Sequence, residues 1–239
     1  MRTILLLIAV LAGGVSAQES WDVVHERALW RDEKGVLTAS GEGLRFAPAR
    51  VKQEEAKGTL WTWDQVQQVT VEDRAIEIVT YRDVLWQGGR DRQYRFEIAG
   101  GTGEGFAALL PLLRPKLEQR LIDAIATETE SAEWQVPAKL LGLIRGAEGE
   151  LSFSDGDLIF HSSQAGKSRR WPRSSIETIA QTGPFSLTVT AYERALSDMG
   201  SRRSFEFQLK RPLPAKQYQA LWRAIEQAHG TRVRFSETR

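Results

Sequence analysis

Hydrophobic and polar positions along this chain form a pattern that occurs twice. Leu60-Trp61-Thr62-Trp63-Asp64-Gln65-Val66-Gln67-Gln68-Val69 and the alternating run Ile76 to Arg82 return as Arg170-Trp171-Pro172-Arg173-Ser174-Ser175-Ile176-Glu177-Thr178-Ile179 and Leu187 to Glu193. In each copy a Trp precedes an apolar-x-x-apolar step, and an alternating strand ends in Tyr81 or Tyr192. Upstream, Leu37 to Phe46 matches Leu151 to Phe160 at an offset of 114, each being two alternating runs around a glycine-containing turn. Such runs predict half-buried strands joined as hairpins, and Asp155-Gly156 is among the strongest hairpin turn signals. Ahead of them Ala28-Leu29-Trp30 and Leu143-Ile144 enter polar turns ending in Gly35 and Gly149, and Trp21 and Trp134 open the copies at an offset of 113. Downstream, Tyr94 to Ile98 and Phe205 to Leu209 alternate strictly at an offset of 111. Offsets that drift slowly are expected of a duplicated unit whose insertions fall in loops.

Each copy closes with helical spacing. Tyr218, Leu221, Trp222 and Ile225 fall at i, i+3, i+4 and i+7 after Pro214, and Phe106, Leu109, Leu110 and Leu113 repeat this at an offset of 112. Pro111 and Pro115 are expected to kink or divide the first helix, with Leu117, Leu121 and Ile125 continuing on a second helical segment that joins the copies. The expected organisation is a signal peptide at 1–17, one domain at 18–128, a linker at 129–133 and a second domain at 134–239. The expected fold class is mainly β with α, each half having about seven antiparallel strands and one C-terminal helix as its second layer. A single lipocalin-like barrel or sandwich is the alternative, and the two helices interrupting the strands at matching places count against it.

Composition narrows the setting. Arg2, the apolar run Ile4 to Val15 and Val15-Ser16-Ala17 have the three parts of a secretory signal, with cleavage expected after Ala17 and export to the periplasm or beyond. That run is too short to span a bilayer as a helix. The chain has no cysteine, which removes disulfides, thiolate metal sites and a Cys nucleophile. Charge is unevenly divided: residues 18–130 hold 15 Lys/Arg against 20 Asp/Glu, and residues 131–239 hold 16 against 11. The second half therefore attracts either the first or an outside anion.

This order of elements, about 110 residues made twice, resembles the pleckstrin-homology-like superfold, including bacterial PH-like and GRAM-type domains. The resemblance implies a strongly bent sheet forming a partly open barrel with a helix plugging one end. Trp222 stands where many PH domains carry a Trp on the closing helix, and Leu110 stands there in the first copy. The basic first hairpin of phosphoinositide-binding members is not reproduced: Asp32, Glu33 and Glu148 lie among Arg31, Lys34 and Arg145.

No catalytic constellation is assembled by spacing. Gly100 to Gly105 lacks the dinucleotide and phosphate-loop signatures and reads as a connector; His25, His161 and His229 have no metal-site spacing; no Gly-x-Ser-x-Gly elbow is present. Glu72-Asp73 and Asp155-x-Asp157 fall at turns. Trp30, Trp61, Trp171 and Trp222 sit on apolar faces, whereas Trp63 and Trp86 break their neighbours' pattern. The constellation carried forward is basic: Lys167, Arg169, Arg170 and Arg173 beside the second Trp, with Arg202, Arg203, Lys210 and Arg211 on the later hairpin, as a candidate anion- or partner-binding face. The expected role is non-enzymatic binding of a protein or peptide, with no cofactor, metal or nucleic acid. The alternatives are association with an anionic envelope surface, a lipid headgroup or polysaccharide, and a secreted hydrolase.

Overall fold

The computed structural model describes residues 19–27, 31–49, 58–84, 90–100, 105–126, 131–142, 146–194 and 202–230. The expected signal peptide, Trp30, Trp86 and residues 129–130 of the expected linker lie outside these.

The chain is mainly β with α. Strands β1 (Glu19–Glu26), β2 (Glu33–Ala39), β3 (Gly43–Pro48), β4 (Thr59–Thr62), β5 (Val66–Val71), β6 (Ala75–Val84) and β7 (Arg90–Ile98) precede helix α1 (Leu110–Leu117), which a 3-10 turn at Phe106–Leu109 introduces. A three-residue strand follows, β8 (Leu121–Asp123). Then come β9 (Trp134–Leu140), β10 (Ala147–Ser154), β11 (Asp157–His161), β12 (Arg169–Pro172), β13 (Ile176–Ala180), β14 (Ser186–Ala191), β15 (Arg203–Leu209) and helix α2 (Ala215–Ala228).

Hydrogen bonding orders the first seven strands β5-β6-β7-β1-β2-β3-β4 and the last seven β13-β14-β15-β9-β10-β11-β12, the same permutation of like-placed strands. Two details repeat with it. The β5–β6 register slips between Val66 and Gln68, and the β13–β14 register slips between Ile176 and Thr178, so each half has its irregularity 110 residues from the other's. Gly35 and Gly149, expected to end turns, instead lie within β2 and β10, opposite Val23 and Ala138. Their role is clearance. A Cβ on Gly35 would lie 2.3 Å from the Ala47 carbonyl oxygen and against the Phe46 ring, and one on Gly149 would lie 2.1 Å from the His161 carbonyl oxygen and against the Phe160 ring. Gly149→Ala and Gly35→Ala are each expected to lose about 1–3 kcal/mol by forcing the backbone and ring apart. Chemical denaturation of the two variants checks this, and a neutral result at either site would show that the ring can move aside.

The core forms as two apolar clusters, one drawn from Trp21 through Leu121 and one from Trp134 through Ile225. Phe96 and Phe207, at an offset of 111, are fully buried in the first and second cluster respectively. Alternation along the strands produces this: Phe205, Phe207 and Leu209 point inward while Ser204, Glu206 and Gln208 face water. Leu109 and Leu113 cover the first cluster, and Leu221 and Ile225 the second.

Two expectations are corrected. Trp21 and Trp134 are not equivalent: Trp21 pairs with Leu37, whereas the residue opposite Leu151 is Val136 and Trp134 pairs with Phe153. A displacement of two residues keeps a side chain on the same face, so both tryptophans are still buried. The spacing of Leu117, Leu121 and Ile125 was expected to continue a helix, yet α1 ends at Leu117 and the next residue, Glu118, takes a φ of +49°. A positive φ at a residue other than glycine ends the α-helix, a single 3-10 turn follows at Glu118–Arg120, and Leu121 then enters a strand. Pro111 lies in the first turn of α1, where its missing N–H costs nothing, and the helix runs through Pro115.

β8 joins the halves. It runs parallel to β5 through Val69–Leu121, Thr70–Ile122 and Val71–Asp123, and it meets β12 at Asp123–Arg170. The described strands thereby form one fifteen-stranded order with β13 at one end and β4 at the other.

Candidate interaction site

Asp123 is the hub of the seam made by β8. Its Oδ1 accepts the backbone N–H groups of Ile125 and Ala126, both at 3.1 Å. Its Oδ2 accepts from Arg114 Nη2 of α1 at 3.1 Å and lies 3.8 Å from Arg170 Nε. The carboxylate is buried, so this set of donors and cations compensates its lost hydration. Further contacts tie the halves together. The Arg194 backbone N–H donates to Gln68 Oε1 at 2.9 Å, its guanidinium donates to Gln67 Oε1 at 3.3 Å and pairs with Asp91, and Gln119 Nε2 donates to the Ser174 carbonyl at 2.8 Å.

Beside the seam is a cleft of about 550 Å³ between the halves, lined among others by Glu72, Arg95 and Glu97 from the first and His161, Ser162 and Ser168 from the second. Arg95 lies 3.1 Å from Glu26, 3.3 Å from Glu72 and 3.7 Å from Glu97, a cation shared by three carboxylates. His161 Nδ1 is 2.9 Å from the Ala126 carbonyl oxygen. Near this cluster, burial holds the Glu77 carboxyl above its usual range; Arg95 and Arg194 oppose the shift and Glu72 and Glu193 reinforce it. A raised carboxyl pKa in the fold favours the protonated form, so this contribution is present at acid pH and is lost as pH rises through the folded value. Glu77→Gln is therefore expected to be more stable than the parent at pH 7, with the difference vanishing below the unfolded carboxylate range. Urea denaturation at both pH values reads it, and a destabilised variant at pH 7 would mean that the ionised form is favoured.

The expected basic face divides between carboxylates, most of them in its own half, and solvent. Arg169 is buried, donating to the Gly166 and Ser168 carbonyls at 3.1 and 2.8 Å and pairing with Glu193 at 3.4 Å. Arg203 pairs with the same Glu193 at 2.9 Å, Arg202 with Glu177 at 3.1 Å and Lys210 with Glu148 at 3.6 Å. Arg170 lies between Asp157 at 3.2 Å and Asp123. Arg173 lies along the turn at Gly156, Lys167 lines a pocket of about 180 Å³ with Arg169 and Arg203, and Arg211 is exposed. An outside anion thus meets Lys167, Arg173 and Arg211 first, and it competes with a carboxylate for the other five.

Trp61 and Trp171 are buried and Trp222 partly so, as their patterns predict. Trp63 is partly buried against the first cluster and donates its indole N–H to the Gly41 carbonyl at 2.9 Å. His229 stacks on Tyr192 with ring centroids 6.4 Å apart, and its backbone N–H caps the Ile225 carbonyl at the end of α2. Sequence reasoning passed over Asp123, Glu193 and Arg194. The signal was slight: Tyr192-Glu193-Arg194 reverses the charge order of Tyr81-Arg82-Asp83 in the first copy.

No family model matches the chain, and no curated protein matches it. Among solved structures it is similar to the C-terminal domain of an unknown protein from Leishmania infantum, at 13% identity and a TM-score of 0.30, over 40% of this chain and 84% of that one. It is also similar to a chain of the Spt16D Pob3N heterodimer, at 12% identity and a TM-score of 0.29, over 73% of this chain and 82% of that one. No helix among the described residues is long and apolar enough to cross a membrane.

Proposed function

We propose that this chain is an exported, non-enzymatic binding or scaffold module, built from two PH-like halves, that recognises a protein or peptide through exposed strand edges. The observation that carries this reading is β8, an extended segment lying along the outer edge of β5, the side away from β6. A strand bonded on one side offers a row of backbone donors and acceptors that extended chains pair with, and side-chain pockets add selectivity. β4 and β13 end the strand order, each bonded to one neighbour among the described strands. Residues 1–17 support export, and the matched strand orders support a PH-like duplication.

The test is capture from an envelope extract by the immobilised protein lacking residues 1–17. Retention of one protein, undiminished between low and high salt, supports the reading. Binding to anionic vesicles that falls steeply with salt and disappears in a Lys167→Glu, Arg173→Glu, Arg211→Glu variant would replace it with surface association.

A further inference from the structure

We infer that the outer edge of β13 docks an extended peptide in parallel, with an apolar residue level with Ile179 and a basic residue two positions later. This inference rests on the recognition function proposed above and names its edge and ligand. Four observations lead to it.

First, β13 is the second half's counterpart of β5: it pairs with β14 as β5 pairs with β6, with the same register slip. The offset of 110 places Ile179 where Val69 stands and Gln181 where Val71 stands. Second, the β5 edge is occupied. Leu121, Ile122 and Asp123 lie level with Val69, Thr70 and Val71, all three are buried, and the following Ala124 N–H donates to the Val71 carbonyl at 2.9 Å. On β13 no described strand takes that place, and Thr178 and Ala180 are exposed.

Third, a side chain fills in for the missing strand. The Tyr218 hydroxyl of α2 donates to the Ile179 carbonyl at 3.2 Å. In the first half the offset of 112 places Phe106 there, in the 3-10 turn ahead of α1; it has no hydroxyl, and β8 runs beside the residue that corresponds to Ile179. A buried or half-buried carbonyl requires a donor, and a phenol on a rotatable side chain supplies one that an incoming peptide N–H can replace.

Fourth, the charge at the end of the edge is reversed. In the first half Arg114 of α1 holds the Asp123 carboxylate. The offset of 112 that relates Leu109 to Leu221 and Leu113 to Ile225 places Glu226 at the position of Arg114. The third residue of a strand added to β13 therefore meets a carboxylate, and a Lys or Arg there is favoured over an acid.

The probes are two seven-residue peptides with the chain's own residues 119–125, one carrying Asp123 and one carrying Asp123→Lys, labelled for fluorescence anisotropy against the full chain lacking residues 1–17. The lysine peptide is expected to bind about tenfold more tightly than the aspartate peptide, the effect of one close charge pair. Glu226→Lys is expected to reverse the preference, and Tyr218→Phe to tighten both several-fold by removing the competing hydroxyl. On the unaltered protein, N-methylation of the peptide amide following the apolar residue is expected to abolish binding, a control that needs no folded variant.

Equal binding of the two peptides, or indifference to Glu226→Lys, overturns the inference. If neither peptide binds while the protein still retains a partner from extract, the edge assignment fails and the recognition function stands; if nothing is retained either, both fail. Self-association that Glu226→Lys abolishes would place a second copy on the edge and overturn the peptide assignment. Peptide binding that arises only after removal of residues 231–239 would do so in favour of the chain's own end.

Discussion

Glu193→Ala is expected to destabilise the protein by about 3–5 kcal/mol, because it leaves a buried guanidinium without its counter-ion. Glu193 is 3% exposed and Arg169 is 9% exposed, so bulk water compensates neither charge. Glu193 Oε1 accepts from Arg203 Nη1 at 2.9 Å and from Arg169 Nη2 at 3.5 Å, while Oε2 lies 3.4 Å from Arg169 Nε without hydrogen-bond alignment. The pair is thus imperfectly bonded, and its worth lies in mutual neutralisation within a low-dielectric site. Arg203, whose side chain is 43% exposed, contributes far less, and Arg203→Ala is expected to cost about 1 kcal/mol or less. Urea midpoints with unchanged m-values would measure both. A loss below about 1 kcal/mol for Glu193→Ala would mean that water reaches Arg169.

Phe96→Ala and Phe207→Ala are each expected to cost about 3–5 kcal/mol. Phe96 is enclosed by aromatic rings, with centroids at 4.7 Å to His25, 5.0 Å to Phe46 and 5.9 Å to Trp61. Phe207 has Phe160 at 5.1 Å and Trp171 at 6.1 Å. The two rings belong to separate clusters, so the double variant is expected to show the sum of the single losses within about 0.5 kcal/mol. A larger departure from additivity would mean that the β8 seam transmits packing strain from one cluster to the other. His25 adds a pH signature to the first cluster. Burial, then the Arg27 charge, lowers its pKa, so it favours the fold above the usual imidazole range and that contribution is lost as pH falls.

The longer strands were legible because each is long enough for alternation to register and each occurs twice. Tyr94 to Ile98 and Phe205 to Leu209 fall in β7 and β15. Gly35 and Gly149 were misread because a glycine chosen for cross-strand clearance looks, in one dimension, like a glycine chosen for a turn; the difference lies in Phe46 and Phe160, 11 residues further along the chain in each copy. β8 was misread for a related reason. Its three residues show no period of their own, and its partners lie about fifty residues away on either side, at β5 and β12. The basic cluster was visible as charge, but the carboxylates that engage it were not. Glu193 is 24 residues from Arg169 and 10 from Arg203, and only folding brings the three together.

A strand stitched to one half along three residues and to the other at a single one gives the molecule a weak line under tension. When the halves are drawn apart, all three pairs resist together on the β5 side, and on the other side the lone β12 pair has the contacts of Arg194 and Gln119 beside it. The halves would part at Arg170 and at the Arg194 and Gln119 contacts, and β8 would travel with the first, its β12 side left without a partner among the described strands.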